Sequence, residues 1–589
     1  MPEHIKLKKI SSTPRIQPSV MSLKPHPNPP LRRGGSNAPF SPCKAGVSNA
    51  PSFSSPCEGG GREGVLHTGT RFLALSALTL LLAACSVGPD YQKPNPVTPG
   101  AYNDMTKPKD ADGASIALPS EPNPLWWKAF NDPQLDSLIT RAIAGNISLQ
   151  QAVLRIAGAR EQVRQAEGAW LPSVQGSAKA TRQQLGLKGI LDSSGASQQL
   201  SDLSPEASSA IDTATRPVNL YQGSFDASWE LDLFGGTRRQ VEAANAQTQS
   251  SVEQRNDALV SLEAEVARAY LQLRGAQSVT AAIQTQIDVA QQTLDLTQNR
   301  QKNGLSPQLD VENARAQLGS LRAQLPQYQA QERQAMNGLA VLLGQTPGSL
   351  DAELTAPKPM PALPAAVPVG VPSQLARRRP DVRKAEADLH AATANIGVSV
   401  AQMFPSISLT GQFGMRNTDV SYLDNWSSHF YSFGPQVTLP IFQGGRLVSS
   451  VHLSRAQQAN AALNYRQTVL TALQDVDNAL VNYRTDQDQV NGLDQTTDAL
   501  QTAFDLASDS YRQGLSTFIN VLDAQRQLAQ AHQQSAEAKV KTSTDLVSLY
   551  KALGGGWEPY QNVDLPTYTV FGPAATPDVK VKTTSGVTP

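Results

Sequence analysis

The sequence is poor in the residues on which most chemistry depends. Its 589 residues include three cysteines, and two of them, Cys43 and Cys57, lie in a Pro-, Gly- and Ser-rich N-terminal stretch. With Cys85 as the third, no disulfide framework is expected. The histidines after Cys85 are His390, His429, His452 and His532, and they are scattered without ligand spacing. No H-E-x-x-H, P-loop, G-x-S-x-G or paired-cysteine metal motif occurs, so neither an enzyme nor a bound metal or other cofactor is expected. Basic and acidic residues balance at 50 each. That leaves no basic excess to neutralise phosphates, and a nucleic-acid partner is not expected. Aromatics are only 6% of the chain. Long apolar runs are equally scarce. The one candidate, Phe72 to Ala84, has 13 residues, whereas a spanning helix needs about 20.

That run has the length of a signal-peptide core, and Arg71 precedes it. It ends Leu82-Ala83-Ala84-Cys85. Small residues followed by cysteine resemble a bacterial lipobox, in which cleavage before the Cys is coupled to acylation of it. A covalent acyl/diacylglycerol lipid on Cys85 is therefore expected; the alternative is a small buried cysteine at a helix end. Ser86 stands where an Asp would typically retain a lipoprotein in the inner membrane, which points to the outer membrane. Residues 1–64 precede the signal by more than its usual extent. They contain the near-duplication SNAPFSPC and SNAPSFSSPC. Such composition cannot bury a core, so this stretch is either translated non-coding sequence before a true start near Val65 or a disordered leader.

The remainder reads as two copies of one unit. Residues 304–318, GLSPQLDVENARAQL, match residues 514–528, GLSTFINVLDAQRQL, at seven of fifteen positions. Trp170-Leu-Pro-Ser-Val174 parallels Met403-Phe-Pro-Ser-Ile407 at a larger offset. The first copy therefore carries an insertion, for which the Ser-, Gly- and Gln-rich stretch 181–220 is the natural place. Each copy has the order helix, two strands, two long helices. From Phe225 to Leu233 the chain alternates strictly, with Phe225, Ala227, Trp229, Leu231 and Leu233 separated by Asp226, Ser228, Glu230 and Asp232. Period two places the two sets on opposite faces. Residues 171–180, 404–413 and 431–441 alternate more loosely. This pattern fits a half-buried strand of a soluble sandwich, or a membrane barrel strand with its polar face toward the lumen. Four strands are too few to close alone in lipid, where open edges are forbidden. Closure must then be shared between chains, as a dimer, trimer or tetramer.

The helical segments are long. From Thr237 to Arg300 there is no proline and one glycine, Gly275. At about 1.5 Å per residue this run reaches roughly 95 Å. Val252, Leu259, Val266, Leu273, Ile287 and Leu294 recur at sevens, and Leu262, Ala269, Ala276, Ile283 and Ala290 supply a second seam. A sustained 3.5-residue period argues for coiled coil. Residues 307–344, 447–512 and 518–554 are similar. A soluble coiled-coil hairpin shares this pattern.

These motifs together resemble the outer membrane factor family, TolC-like channels of the lipoprotein (NodT-type) subgroup. The likeness runs from about Pro124 to Gly555. It includes LWWKAFNDPQLDSLI at 125–139, FDASWELDLFGG at 225–236, LEAEVARAYLQLRGAQ at 262–277, the stretch 375–409 and FGPQVTLPIFQGGR at 433–446. The resemblance implies a mainly α protein with a transmembrane β-barrel. Three chains close a 12-stranded barrel on an α-helical periplasmic tunnel. It also implies a lipid-anchored subunit in the cell outer membrane, in contact with outer-membrane lipids. An inner-membrane pump of RND type and a periplasmic adaptor would feed it small molecules for export. The rival reading is a lipid-anchored periplasmic adaptor with a coiled-coil hairpin, which would need no duplicated strand pair of membrane type. The expected organisation is a doubtful leader (1–64), signal peptide (65–84), N-terminal strap (85–123), first repeat (124–345), linker (346–372), second repeat (373–555) and flexible tail (556–589).

Site residues follow from the same resemblance. The segments 304–318 and 514–528 become turns at the periplasmic tip, where the family coils shut. The acidic pair of its constricting ring falls on Asn520 and Asp523, and a further aspartate on Asp310. Asn520 departs from the acidic pattern, so the ring carries three fewer negative charges per trimer. Tyr511 is placed to latch the coils. The alternative is that Asp310 and Asp523 merely pair with Arg315 and Arg526 on solvated helix faces. Asp226, Glu230 and Asp232 are expected to face the barrel lumen. Arg377-Arg378-Arg379-Pro380-Asp381 reads as a helix start rather than an anion site. Trp126 and Trp127 read as anchors of the N-terminal region rather than a stacking site for a ligand.

Overall fold

The computed structural model describes residues 86–103, 116–184 and 216–566, with a few isolated positions between 184 and 216. These residues belong to one compact unit, Ala74–Pro589. Cys85, the leader, the signal segment and the tail beyond 566 lie outside the described residues.

Each half of the chain has the same succession of elements. In the first half, α1 (Pro133–Gly145) and α2 (Ile147–Glu167) lead to β2 (Ser173–Gln183), β3 (Val218–Leu231), α3 (Gly236–Lys302) and α4 (Gln308–Leu342). In the second, α5 (Pro372–Arg378) and α6 (Pro380–Ala401) lead to β5 (Ser406–Asn417), β6 (His429–Thr438), α7 (Arg446–Arg512) and α8 (Phe518–Leu553). Two short strands, β1 (Ile116–Leu118) and β4 (Ala366–Pro368), pair in parallel and tie the N-terminal strap to the linker. A short helix thus precedes the expected helix in each half. Strands β2 and β3 also run into the stretch anticipated as loop, because their outer residues are polar on one face and carry little apolar period.

Helices α3 and α7 have 67 residues each, about 100 Å at 1.5 Å per residue. Both start on a glycine in the left-handed region, Gly235 (φ 77°) and Gly445 (φ 83°), a conformation that costs other residues energy. A Cβ on Gly235 would also stand 3.0 Å from the Cα of Ser86. The heptad seams are buried as expected. Leu259, Val266 and Leu273 are wholly inaccessible, and Ile283, Ile287, Ala290 and Leu294 nearly so. Burying each such leucine or isoleucine contributes about 1.5–3 kcal/mol.

The buried residues form two cores. The upper one gathers Trp126, Trp127 and Phe130 against α1, the middle of α3 and the end of α8. Trp126 stacks on Tyr550 with centroids 5.1 Å apart. The Trp127 indole donates to Asp136 at 2.8 Å. Both tryptophans are therefore anchors. The lower core joins α3, α4, α7 and α8 near their far ends, through Ile283, Leu294, Val311, Leu318, Phe518 and Leu528. Arg379 stands at the N-cap position of α6 and bonds Asp381 at 2.7 Å and Asp475 at 3.0 Å, so Arg379-Pro380-Asp381 is a helix start, whereas Arg377 and Arg378 form the last turn of α5.

The strap is held closely where it follows Cys85. Val87 donates to the Phe234 carbonyl at 3.1 Å, Tyr91 stacks on His390 at 4.2 Å, and Tyr102 is buried. One boundary needs correction. The expected flexible tail begins with packed residues: Trp557 and Tyr560 are buried, Trp557 donates to the Arg378 carbonyl at 3.0 Å, and Arg255 donates to the Tyr560 carbonyl at 2.7 Å. Two aromatics give this segment enough apolar area to offset the entropy of ordering it.

Candidate functional site

The first site is a sheet with two unlike faces. Its order is β2-β3-β5-β6, antiparallel throughout. The register places Phe225 opposite Phe413, which lies opposite Tyr431, and Trp229 opposite Leu409. Those residues, with Ala227, Phe433 and Val437, share one face. The other carries Gln175 beside Asp226 beside Gln412 beside Ser432, then Glu230 beside Ser408. The apolar face is bare: Phe225 is 65% exposed and Phe433 81%. Such a surface on water would be an interaction patch of unusual size. Strands of 10–14 residues are long enough to cross a bilayer's hydrocarbon. Trp229, whose indole donates to the Trp170 carbonyl at 2.9 Å, marks the helix end of the sheet, and exposed Tyr422 and Trp426 mark the loop end. Aromatic girdles at both interfaces are the signature of a membrane barrel. No helix among the described residues is long and apolar enough to cross a membrane.

On the polar face Asp226 accepts from Gln412 at 2.6 Å and from Ser177 at 3.1 Å, and Glu230 is exposed. Asp232 does not join them. The strand ends at Leu231, and the Asp232 carboxylate turns to the start of α3. It accepts there from the backbone of Thr237 at 3.1 Å and of Arg238 at 2.9 Å, and from the Arg238 side chain at 3.3 Å. A carboxylate at a helix N-terminus satisfies orphan amides and meets the positive end of the helix dipole. Strict alternation in the sequence hid that change of role. Strands β2 and β6 each keep one edge unpaired within the chain.

The second site is the far end of the four long helices. The two homologous turns close as Schellman motifs: Leu305 donates to the Arg300 carbonyl, Gly304 to Gln301, Leu515 to Ser510 and Gly514 to Tyr511, all at 2.8–3.0 Å. Gly304 and Gly514 take the left-handed φ that such a motif requires. The structure brings Tyr511 and Asp310 together through Ser306. Ser306 Oγ donates to Asp310 Oδ2 at 2.6 Å, and Tyr511 Oη lies 3.0 Å from Ser306 Oγ. A serine has one hydroxyl proton, so Tyr511 is the donor of the second bond. The Tyr511 ring is buried between the Arg300 guanidinium, 4.6 Å from its centroid, and Phe518. Arg300 also donates to the Arg512 carbonyl at 3.0 Å. Asp523 and Asn520 stand apart from this chain of bonds and are exposed. Asp523 accepts from Gln527 at 2.8 Å, and Asn520 donates to Ser516 at 3.0 Å. Neither nearby arginine holds these aspartates, since Arg315 pairs with Glu312 and Arg526 donates to Gln317.

Sequence reasoning missed Ser306 and Arg300. The repeated Gly-Leu-Ser was a usable signal for Ser306, but nothing singled out Arg300 among the other surface arginines. It also missed four exposed apolar residues at the tip, Leu305, Leu309, Leu515 and Ile519. A further surprise is a charged cluster in the upper core. Glu263 is wholly buried, and its carboxylate has no partner in hydrogen-bond geometry, the Trp126 indole included. Burial holds its carboxyl well above the usual range, and Glu558 adds to the effect. Burial likewise pulls the Arg255 guanidinium down to about 10. Among the described residues no group of His, Cys, Asp and Glu is arranged to hold a metal ion.

Comparison with known proteins places this architecture. The family model described as outer membrane efflux protein matches residues 138–345 and 371–555, one span in each half. The probable efflux pump outer membrane protein TtgC of Pseudomonas putida is 32% identical over 82% of this chain and 95% of its own length. Nodulation protein T of Rhizobium leguminosarum bv. trifolii is 31% identical over 83% and 98%. Among solved structures, the outer-membrane channel OprN superposes with a TM-score of 0.70 at 32% identity, covering 81% of this chain and all of that one.

Proposed function

The chain belongs to the outer membrane efflux protein family, and we propose that three copies of it close one duct through the outer membrane and across the periplasm. The protein is an efflux channel of the outer membrane. Outer membrane proteins of efflux pumps work with an adaptor and an inner-membrane pump. The observation that carries shared closure is the sheet, with four strands, a bare apolar face and two unpaired edges; the number three is what the family supports. Unpaired edges are untenable in lipid. Three four-stranded sheets joined β6 to β2 give twelve strands, a size within the range of closed membrane barrels.

Further assignments follow from this reading. Cys85 carries lipid, a reading supported by the lipobox-like Leu82-Ala83-Ala84-Cys85 and compatible with the pinning of the residues directly after it to the turn between β3 and α3. Asp226 and Glu230 line the lumen. Asp523 lies on an exposed face of the tip, free to line the narrowing with its two symmetry copies. Tyr511, Ser306 and Asp310 latch the second hairpin to the first. The apolar tip formed by Leu305, Leu309, Leu515 and Ile519 is where the hairpin of a periplasmic adaptor docks, with an RND-type pump beneath. The test is native mass and single-channel conductance of the purified full-length protein in detergent and planar bilayers. Trimers with discrete conductance are expected, and a mass equal to one subunit would refute the reading.

A further inference from the structure

The polar face of the sheet is sorted by charge along its length. The register aligns Lys179 with Gln222 and Gln222 with Arg416, making one row across three strands. Four residues further along β3 comes the row of Asp226, and four beyond that Glu230. At about 3.3 Å per residue, the acidic rows lie roughly 13 and 26 Å from the basic one along the strand. The basic row is at the loop end, and the acidic rows run toward the helices. Arg416 is held in place: its Nε donates to Gln222 Oε1 at 2.9 Å, and its guanidinium lies over the Phe430 ring at 4.5 Å. Among the described residues neither Lys179 nor Arg416 has a carboxylate partner. Two cations without carboxylate partners, separated by two strand spacings, about 10 Å, repel each other, so Arg416 helps the sheet through Gln222 and Phe430 while the paired positive charges themselves do not.

We propose that Lys179 and Arg416 form a cationic ring at the outer exit of the barrel that concentrates anions there and holds multivalent ones. The proposal rests on the reading above that three copies close with the polar face inward, which gives six such charges in one ring. Six charges about 10 Å from the axis, screened over about 10 Å at 0.1 M salt, enrich a monovalent anion roughly fivefold on the axis. The acidic rows below act in the opposite sense. The lumen thus has an anion-favouring exit above a cation-favouring floor, and an anionic solute that has passed the floor meets a favourable site at the mouth.

The test uses single full-length trimers in planar bilayers at 0.1 M salt, with inositol hexakisphosphate added to one side at a time. Block is expected from the loop side at concentrations at least tenfold lower than from the helix side, and it should be relieved at 1 M salt, where the screening length is about 3 Å. The double variant Lys179→Gln with Arg416→Gln should conduct normally and require at least tenfold more polyanion. Each single variant should shift the block severalfold, which keeps the test available should the double variant assemble poorly. Reversing both charges, Lys179→Glu with Arg416→Glu, should make spermine the blocker from the loop side. Wild-type trimers that conduct but ignore the polyanion, or variants blocked as strongly as wild type, overturn the ring alone. A chain that forms no conducting trimer overturns the barrel reading and the ring with it.

Discussion

Removing one hydroxyl from Tyr511 isolates the latch at the tip. In Tyr511→Phe the ring stays buried, and its contacts with Arg300 and Phe518 survive, because a phenylalanine face binds a cation too. What disappears is the bond to Ser306 at 3.0 Å, the first link of a chain that ends on the Asp310 carboxylate. One such bond contributes about 1 kcal/mol, a factor of roughly five in the opening equilibrium of one subunit. If the three subunits open together, the trimer loses about 3 kcal/mol, roughly a hundredfold or more. Asp310→Ala removes the anchor of the same chain, so its effect should overlap with that of Tyr511→Phe instead of adding to it. Single-channel open probability and leak of a large antibiotic into cells read both variants and their combination. Unchanged open probability and leak in all three would refute the latch. Fully additive effects would refute the linear chain of bonds.

Other perturbations probe separate parts of the duct. Asp523→Ala should weaken the preference for cations in reversal-potential measurements, and Asn520→Asp should strengthen it by restoring three charges per trimer; no change in either returns both residues to a solvated helix face. Cys85→Ser should yield an unprocessed or unlipidated chain by mass spectrometry, and an unmodified mature N-terminus elsewhere in the wild type would rule the anchor out. Trp229→Lys, in the girdle at the helix end, should destabilise the barrel by at most about 1 kcal/mol, and Phe225→Lys, four residues nearer the middle of β3, by more, up to about 2–4 kcal/mol, measured by heat dissociation of the trimer. Burial raises the Glu263 carboxyl in the folded protein, so the stability it confers is complete below its unfolded value near 4.3 and is lost as pH rises from there through the raised folded value, by up to about 1.4 kcal/mol per pH unit. Glu263→Gln should therefore gain in melting temperature over wild type as pH rises above about 4.5, and a difference independent of pH would refute the assignment.

The long helices were legible because a seven-residue apolar period sustained over dozens of residues suits coiled coil and little else. Their ends were legible because Gly-Gly and Gly-Leu-Ser punctuate them. The strand from Phe225 was legible for the same kind of reason, and its neighbours less so, since Gly176, Gly411 and Gly434 interrupt their alternation. Asp232 was misread because a period of two carries no marker for the residue at which a strand stops. The packed start of the tail was misread because its composition hides two aromatics among prolines and threonines. The buried ionisable groups Glu263 and Arg255 sit one turn or less from seam positions on α3, and nothing in a heptad count tells a surface ionisable residue from one that the upper core encloses. The charge rows of the sheet depend on register, which pairs residues more than 190 positions apart, as in Gln222 with Arg416.

The tip shows what duplication alone cannot supply. Asp310 and Asn520 are the same position in the two repeats, 210 residues apart, and so are Ser306 and Ser516. In the first turn the carboxylate takes the serine proton, which leaves the serine oxygen as an acceptor for Tyr511. In the second turn the Asn520 amide donates to the serine, so the serine proton is free to point elsewhere. The counterpart of Tyr511 in the first repeat is Gln301, which carries no aromatic ring to bury. A single difference between carboxylate and amide thus reverses the direction of the local hydrogen bond, and among the described residues it is the first turn that receives the other hairpin's tyrosine. The first hairpin holds the second, through Ser306 and Arg300 together, and no matching contact runs the other way among the described residues. Two homologous turns therefore make an unequal pair, and the hairpins part only when the bonds at Ser306 and Arg300 break.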